Sequence, residues 1–124
     1  MAKILVVDDS SFARMRVCHM LQEGGHETVE AADGREGLAM AQQEQPDCIL
    51  TDLLMPEMDG VGLLAALKEL GFKLPIIVLT ADIQESKRKQ CEELGAAGFL
   101  SKPPQSKVLL ALIGKVLIGQ GDKG

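Results

Sequence analysis

Four short runs of uninterrupted apolar residues punctuate the chain: Ile4-Leu5-Val6-Val7, Cys48-Ile49-Leu50, Ile76-Ile77-Val78-Leu79 and Gly98-Phe99-Leu100. Continuous hydrophobicity marks strands buried on both faces, as in a parallel sheet covered by helices. A fifth segment, Glu27-Thr28-Val29-Glu30-Ala31, alternates and suits an edge strand. Between these runs the apolar spacing turns helical. Ala13, Val17, Met20 and Leu21 fall at i, i+4, i+7 and i+8, which makes one buried stripe. Similar patterns predict helices over residues 34–43, 60–70, 83–94 and 105–118. Gly24-Gly25, Gly71 and Gly95 sit where the first, third and fourth helices should stop, and Pro46 and Pro75 sit just before strands. The order is strand then helix, five times over. Parallel strands joined by right-handed helical crossovers predict an α/β fold, a three-layer sandwich with helices on both faces of the sheet.

Composition narrows the functional classes. With 124 residues the chain suffices for one compact domain, a core over about 3–118 and a loose tail over 119–124. The net charge of −5 and the lack of any sustained Lys/Arg run argue against direct nucleic-acid binding. The densest basic stretch, Lys87-Arg88-Lys89, is followed at once by Cys91, Glu92 and Glu93 and reads as a solvated helix face. Cys18, Cys48 and Cys91 are odd in number and far apart, so neither a disulfide framework nor zinc is expected, and a reduced cytoplasmic setting fits. No signal-peptide layout opens the chain. The longest greasy stretch, 108–118, is broken by Gly114 and Lys115 and falls short of the ~20 residues a bilayer span needs.

The places where polar residues interrupt the apolar runs carry more information. Asp8-Asp9 follows the first strand, Thr51-Asp52 the third, Thr80 the fourth and Ser101-Lys102 the fifth. All are carboxyl ends of parallel strands, the edge at which open α/β sheets bind ligands. Each alone has a bland reading as a turn, cap or loop residue. Together they bring three carboxylates, a hydroxyl and an ammonium to one crevice. Clustered carboxylates repel one another and call for a cation, and oxygen-only donors favour Mg²⁺. Such a site suits a small, doubly charged oxyanion and therefore phosphoryl transfer.

Four motifs in order, VVDDS at 6–10, TDLLMPEMDG at 51–60, LTA at 79–81 and GAAGFLSKPP at 95–104, resemble the response-regulator receiver family, most closely its stand-alone chemotaxis-type members. The resemblance covers essentially the whole chain. It implies a doubly wound, flavodoxin-like (βα)5 fold with strand order 2-1-3-4-5. It further implies that Asp52 is the phosphoacceptor of a two-component phosphorelay and that Asp8, Asp9, Asp52 and the backbone carbonyl of Leu54 hold Mg²⁺. Thr80 and Lys102 would engage the phosphoryl oxygens, with a cis Lys102-Pro103 bond, and Phe99 would be the rotating aromatic switch. The resemblance also implies that Leu54 and Asp82 would flank the path of a hydrolytic water and tune the lifetime of the phosphorylated state. Leu54, which cannot bind a water, is expected to shield the phosphorus. The implied partners are a sensor histidine kinase or phosphotransfer protein, a downstream protein target and, given slow decay, room for a phosphatase. The alternative is a Mg-dependent phosphatase with an Asp nucleophile, but that family wants a second Asp two residues on, where Leu54 stands. A flavodoxin-like nucleotide binder is weaker still, because no phosphate-binding glycine loop is present.

The remaining residues read as structural. His19 and His26 have no second ligand type at metal spacing, Cys48 reads as a small buried hydrophobe, and Met55 and Met58 read as packing residues. Cys18 lies between core positions of the first helix, where exposure is expected. In the last helix Val108, Leu109, Leu110, Leu112, Ile113, Val116 and Leu117 cover an arc of about 200° at ~100° per residue. Either deep packing or a partly exposed apolar strip accounts for that width.

Overall fold

The computed structural model describes residues 2–81 and 84–121. Its elements are β1 Lys3–Val7, α1 Ser11–Glu23, β2 Glu27–Ala31, α2 Gly34–Glu44, β3 Cys48–Thr51, α3 Gly60–Glu69, β4 Ile76–Thr80, α4 Glu85–Glu93, β5 Gly98–Ser101 and α5 Ser106–Gly121. The strands form one parallel sheet in the order β2-β1-β3-β4-β5. Alternate residues of each strand point to opposite faces, so the unbroken apolar runs feed two cores. Ile4, Val6, Cys48, Leu50, Ile77 and Leu79 pack with Val17, Cys18 and Leu21 of α1 and Leu109 and Ile113 of α5. Leu5, Val7, Ile49 and Val78 pack with Ala41 of α2, Leu63, Leu64 and Leu67 of α3, and Cys91 of α4.

Local chemistry sets the helix ends. The side chains of Ser10, Asp33 and Asp59 accept the backbone N–H groups of Ala13, Glu36 and Gly62, capping α1, α2 and α3. Gly71 and Gly95 take left-handed backbone angles (φ 84° and 99°) just past α3 and α4, where a Cβ would be strained. Pro46 and Pro75 are both buried and sit outside the strands they precede.

Three expectations need correction. Cys18 is buried at 4 % exposure, because its side of α1 faces β2, where the thiol meets Thr28 near Glu30. β5 is only half-buried, since it borders the sheet on one side and has no strand beyond it. The last helix runs on to Gly121, past the expected boundary at 118, because no proline interrupts its hydrogen bonding. Its wide apolar arc divides. Leu109 and Ile113 are fully buried, Leu110, Leu112, Val116 and Leu117 are half-buried, and Val108 is exposed.

Candidate functional site

The strand register assembles the site. Val7 pairs with Thr51 across β1 and β3, so the next residue of each strand, Asp8 and Asp52, emerges side by side. The ladder continues one step past both strands. Asp52 N–H donates to the Val7 carbonyl at 2.8 Å, and Asp8 N–H donates to the Ala31 carbonyl at 3.1 Å. The reversal of strand order at β1 and β3 opens a crevice above this edge. On the far side Thr80 pairs with Ser101, and Lys102 N–H donates to the Thr80 carbonyl at 3.0 Å, which delivers the lysine from β5.

One carboxylate oxygen from each of Asp8, Asp9 and Asp52 lies within 4.8 Å of the others. The Lys102 ammonium bridges two of them, 2.7 Å from Asp8 Oδ2 and 3.1 Å from Asp52 Oδ2. Backbone N–H groups take up the other oxygens: Ser10 donates to Asp8 Oδ1 at 2.9 Å and Leu53 to Asp52 Oδ1 at 2.7 Å. Thr80 is buried at the end of β4. The Lys102-Pro103 bond is cis, as the resemblance implies. Leu54 is 73 % exposed beside the acceptor. Asp82 lies outside the described residues.

The electrostatics follow from one cation divided between two acids. Burial pushes the Asp52 carboxyl above the ordinary carboxylate value, and the hydrogen bonds from Lys102 and Leu53 offset only part of that rise. Burial works against the Lys102 ammonium, but its bonds to Asp8 and Asp52 together outweigh it and raise its pKa. The ammonium is thus held charged without fully neutralising either partner. Three carboxylates against one ammonium leave room for a cation. Oxygen donors alone, at separations a small hard ion can bridge, are the donor set that Mg²⁺ prefers.

Phe99 is half-buried on β5, packed against the α2, α3 and α4 core. The Arg88 guanidinium of α4 lies 4.6 Å from its ring centroid, a cation–π contact that the sequence did not suggest.

Sequence reasoning also missed three supports of the site. Gly60 opens α3 so close to the acceptor that a Cβ there would come 2.5 Å from the Asp52 carbonyl oxygen. Its place at the end of the TDLLMPEMDG motif was the available signal. Glu57 takes a left-handed conformation (φ 67°) in the loop after Asp52, and nothing in its side chain announces that. Arg14 of α1 hydrogen-bonds the Asp8 carbonyl and pairs with Glu30, a contact across elements that no local pattern encodes. The structural readings of the other residues agree with their surroundings. His26 Nδ1 accepts the Ala2 N–H, His19 pairs with Glu23 on the surface, and Met55 and Met58 pack against the core. Burial pushes the Cys48 thiol up to about 12, which leaves it inert.

Residues 4–114 match the family model for the response regulator receiver domain. The chain is 36% identical over 121 residues to protein PilH of Pseudomonas aeruginosa, an alignment that covers 96% of this chain and 100% of that protein. It is 35% identical over 116 residues to chemotaxis protein CheY of Bacillus subtilis, covering 93% and 97% respectively. The solved structure of chemotaxis protein CheY4 of Vibrio cholerae superposes with a TM-score of 0.87 at 41% identity, covering 94% of this chain and 98% of that one.

Proposed function

The chain belongs to the response regulator receiver family, and on that premise we propose that Asp52 is the residue that takes the phosphoryl group. Receivers are phosphoacceptor switches of two-component signalling. In this one the Asp52 carboxylate attacks the phosphorus of a phosphohistidine on a sensor kinase or phosphotransfer protein. An O–P bond forms, the P–N bond breaks, and the imidazole leaves with the electron pair. Asp8, Asp9, Asp52 and the Leu54 carbonyl would hold Mg²⁺, which would supply charge neutralisation when bound.

The chain's own residues do the rest. Lys102, already 3.1 Å from the acceptor oxygen, meets the new oxyanion, and the backbone N–H of Leu53 orients the nucleophile. Phosphorylation adds about −1.5 to −2 charges. Thr80 draws toward that charge, and Phe99 follows into the space vacated, which requires its ring to leave the Arg88 guanidinium. The switched surface passes the state on by binding a downstream protein target, in the cytoplasm, and the receiver promotes its own loading and hydrolysis.

The observation that carries this reading is the contact of the one Lys102 ammonium with both Asp8 and Asp52 at the reversal of strand order. Incubation with acetyl phosphate and Mg²⁺ should add one phosphoryl group, about +80 Da by intact mass spectrometry for a modification of this kind. Chelation should abolish the addition. Equal labelling of Asp52→Asn would refute the assignment.

A further inference from the structure

Asp9 is the one exposed member of the carboxylate cluster, and no hydrogen bond or ion pair is described for its side chain. Its placement therefore depends on the peptide group that joins it to Asp8. That peptide is clamped. Asp8 N–H is bonded to Ala31, one carboxylate oxygen takes the Ser10 N–H, and the other meets Lys102. The remaining handle is the Asp8 carbonyl, which is part of the very peptide that leads into Asp9. It accepts from Nη1 of Arg14, while Arg14 Nε donates to Glu30 Oε1 at 2.9 Å. The Arg14 side chain is only 17 % exposed, and Glu30 is anchored in β2 opposite Val6. A planar guanidinium that bonds through two edges fixes direction as well as distance.

We infer that Arg14 is a positioning residue for metal binding: it locks the Asp8–Asp9 peptide between α1 and β2 and so aims the Asp9 carboxylate at the cation. This rests on the reading of Asp9 as a Mg²⁺ ligand given above. The direction of the effect makes the inference testable. Arg14 carries a positive charge near the cation site, so on Coulomb grounds alone its removal would tighten Mg²⁺ binding. Loss of an orienting partner acts the other way, typically by about tenfold or more in metal affinity.

The test titrates MgCl₂ into the protein and follows amide chemical shifts, with thermal unfolding in EDTA measured in parallel by circular dichroism. The chain has no Trp or Tyr to report by fluorescence. Arg14→Met, which keeps the aliphatic stem, should weaken the Mg²⁺ dissociation constant by about tenfold. Arg14→Lys, which keeps the charge but loses the fork, and Glu30→Gln, which frees one side of it, should weaken it by smaller factors. A purely structural role would lower the unfolding temperature and leave the dissociation constant of the folded protein in place. Unchanged or tighter binding in Arg14→Met overturns the inference. If that variant does not fold, wild-type affinity in Arg14→Lys overturns it. Failure of the wild type to bind Mg²⁺ removes the metal-site reading itself, and the inference with it.

Discussion

The two ends of the sheet carry charged side chains of the same kinds to opposite effect. At the amino-terminal end Lys3 pairs with Glu44 at 3.3 Å, and Asp47 accepts the Lys3 backbone N–H at 2.8 Å. Lys3 and Glu44 are both about one-third exposed, and the pair balances one cation with one anion. At the carboxyl-terminal end Asp8 and Asp52 share a single ammonium, with Asp9 alongside, and the side chains of Asp8 and Asp52 are 4 % and 11 % exposed. A balanced, hydrated pair fastens a strand and asks for nothing further. A buried excess of anions costs stability unless another positive charge arrives, and that requirement is what makes a site.

The comparison breaks most visibly at Lys102. Lys102→Ala strips two largely buried carboxylates of their only described cation, and the metal-free protein should lose about 3 kcal/mol, as when one member of a buried pair is removed. Urea titration in EDTA measures this, and added Mg²⁺ should restore part of the loss. The pH dependence has a definite sign. The ammonium pKa is raised in the fold, so its stabilisation is complete below the unfolded value of about 10.4 and is lost as pH rises through the folded value. The wild type should lose more stability than Lys102→Ala over that alkaline window. Equal losses would mean that the pair contributes nothing to stability.

A second test sharpens the functional side of the contrast. If the exposed Leu54 shields the phosphorus, Leu54→Asn should hydrolyse the aspartyl phosphate about threefold faster or more, a barrier change of about 0.7 kcal/mol. Single-turnover loss of phosphate at fixed Mg²⁺ reads this directly. Decay no faster than wild type would end the shielding argument.

The smallest effect belongs to the opposite edge. Lys3→Met should change stability by no more than about 1 kcal/mol, the range of exposed ion pairs. It should also leave phosphorylation by acetyl phosphate at the wild-type rate. A large change in labelling would show that the two edges are not independent.

Much of this was written in the chain's local pattern. Strands buried on both faces must be apolar without interruption, so the first one or two polar residues after each run mark the sheet edge, and Asp8, Asp52, Thr80 and Lys102 could be placed there by reading alone. The alternation of β2 and the glycines after the helices were equally legible, because they answer to the backbone of their own segment. What the pattern could not supply was contact between segments. The burial of Cys18 depends on β2, whose Thr28 and Glu30 lie beside it. The half-exposure of β5 depends on the absence of a strand beside it. Arg88 over Phe99 and Arg14 between Asp8 and Glu30 join side chains whose neighbours in sequence give no hint of the partner. Hydrophobic periodicity reports which face of an element is buried. Which group meets which across the layers is decided only when the sheet's register and the helices' packing fix their positions.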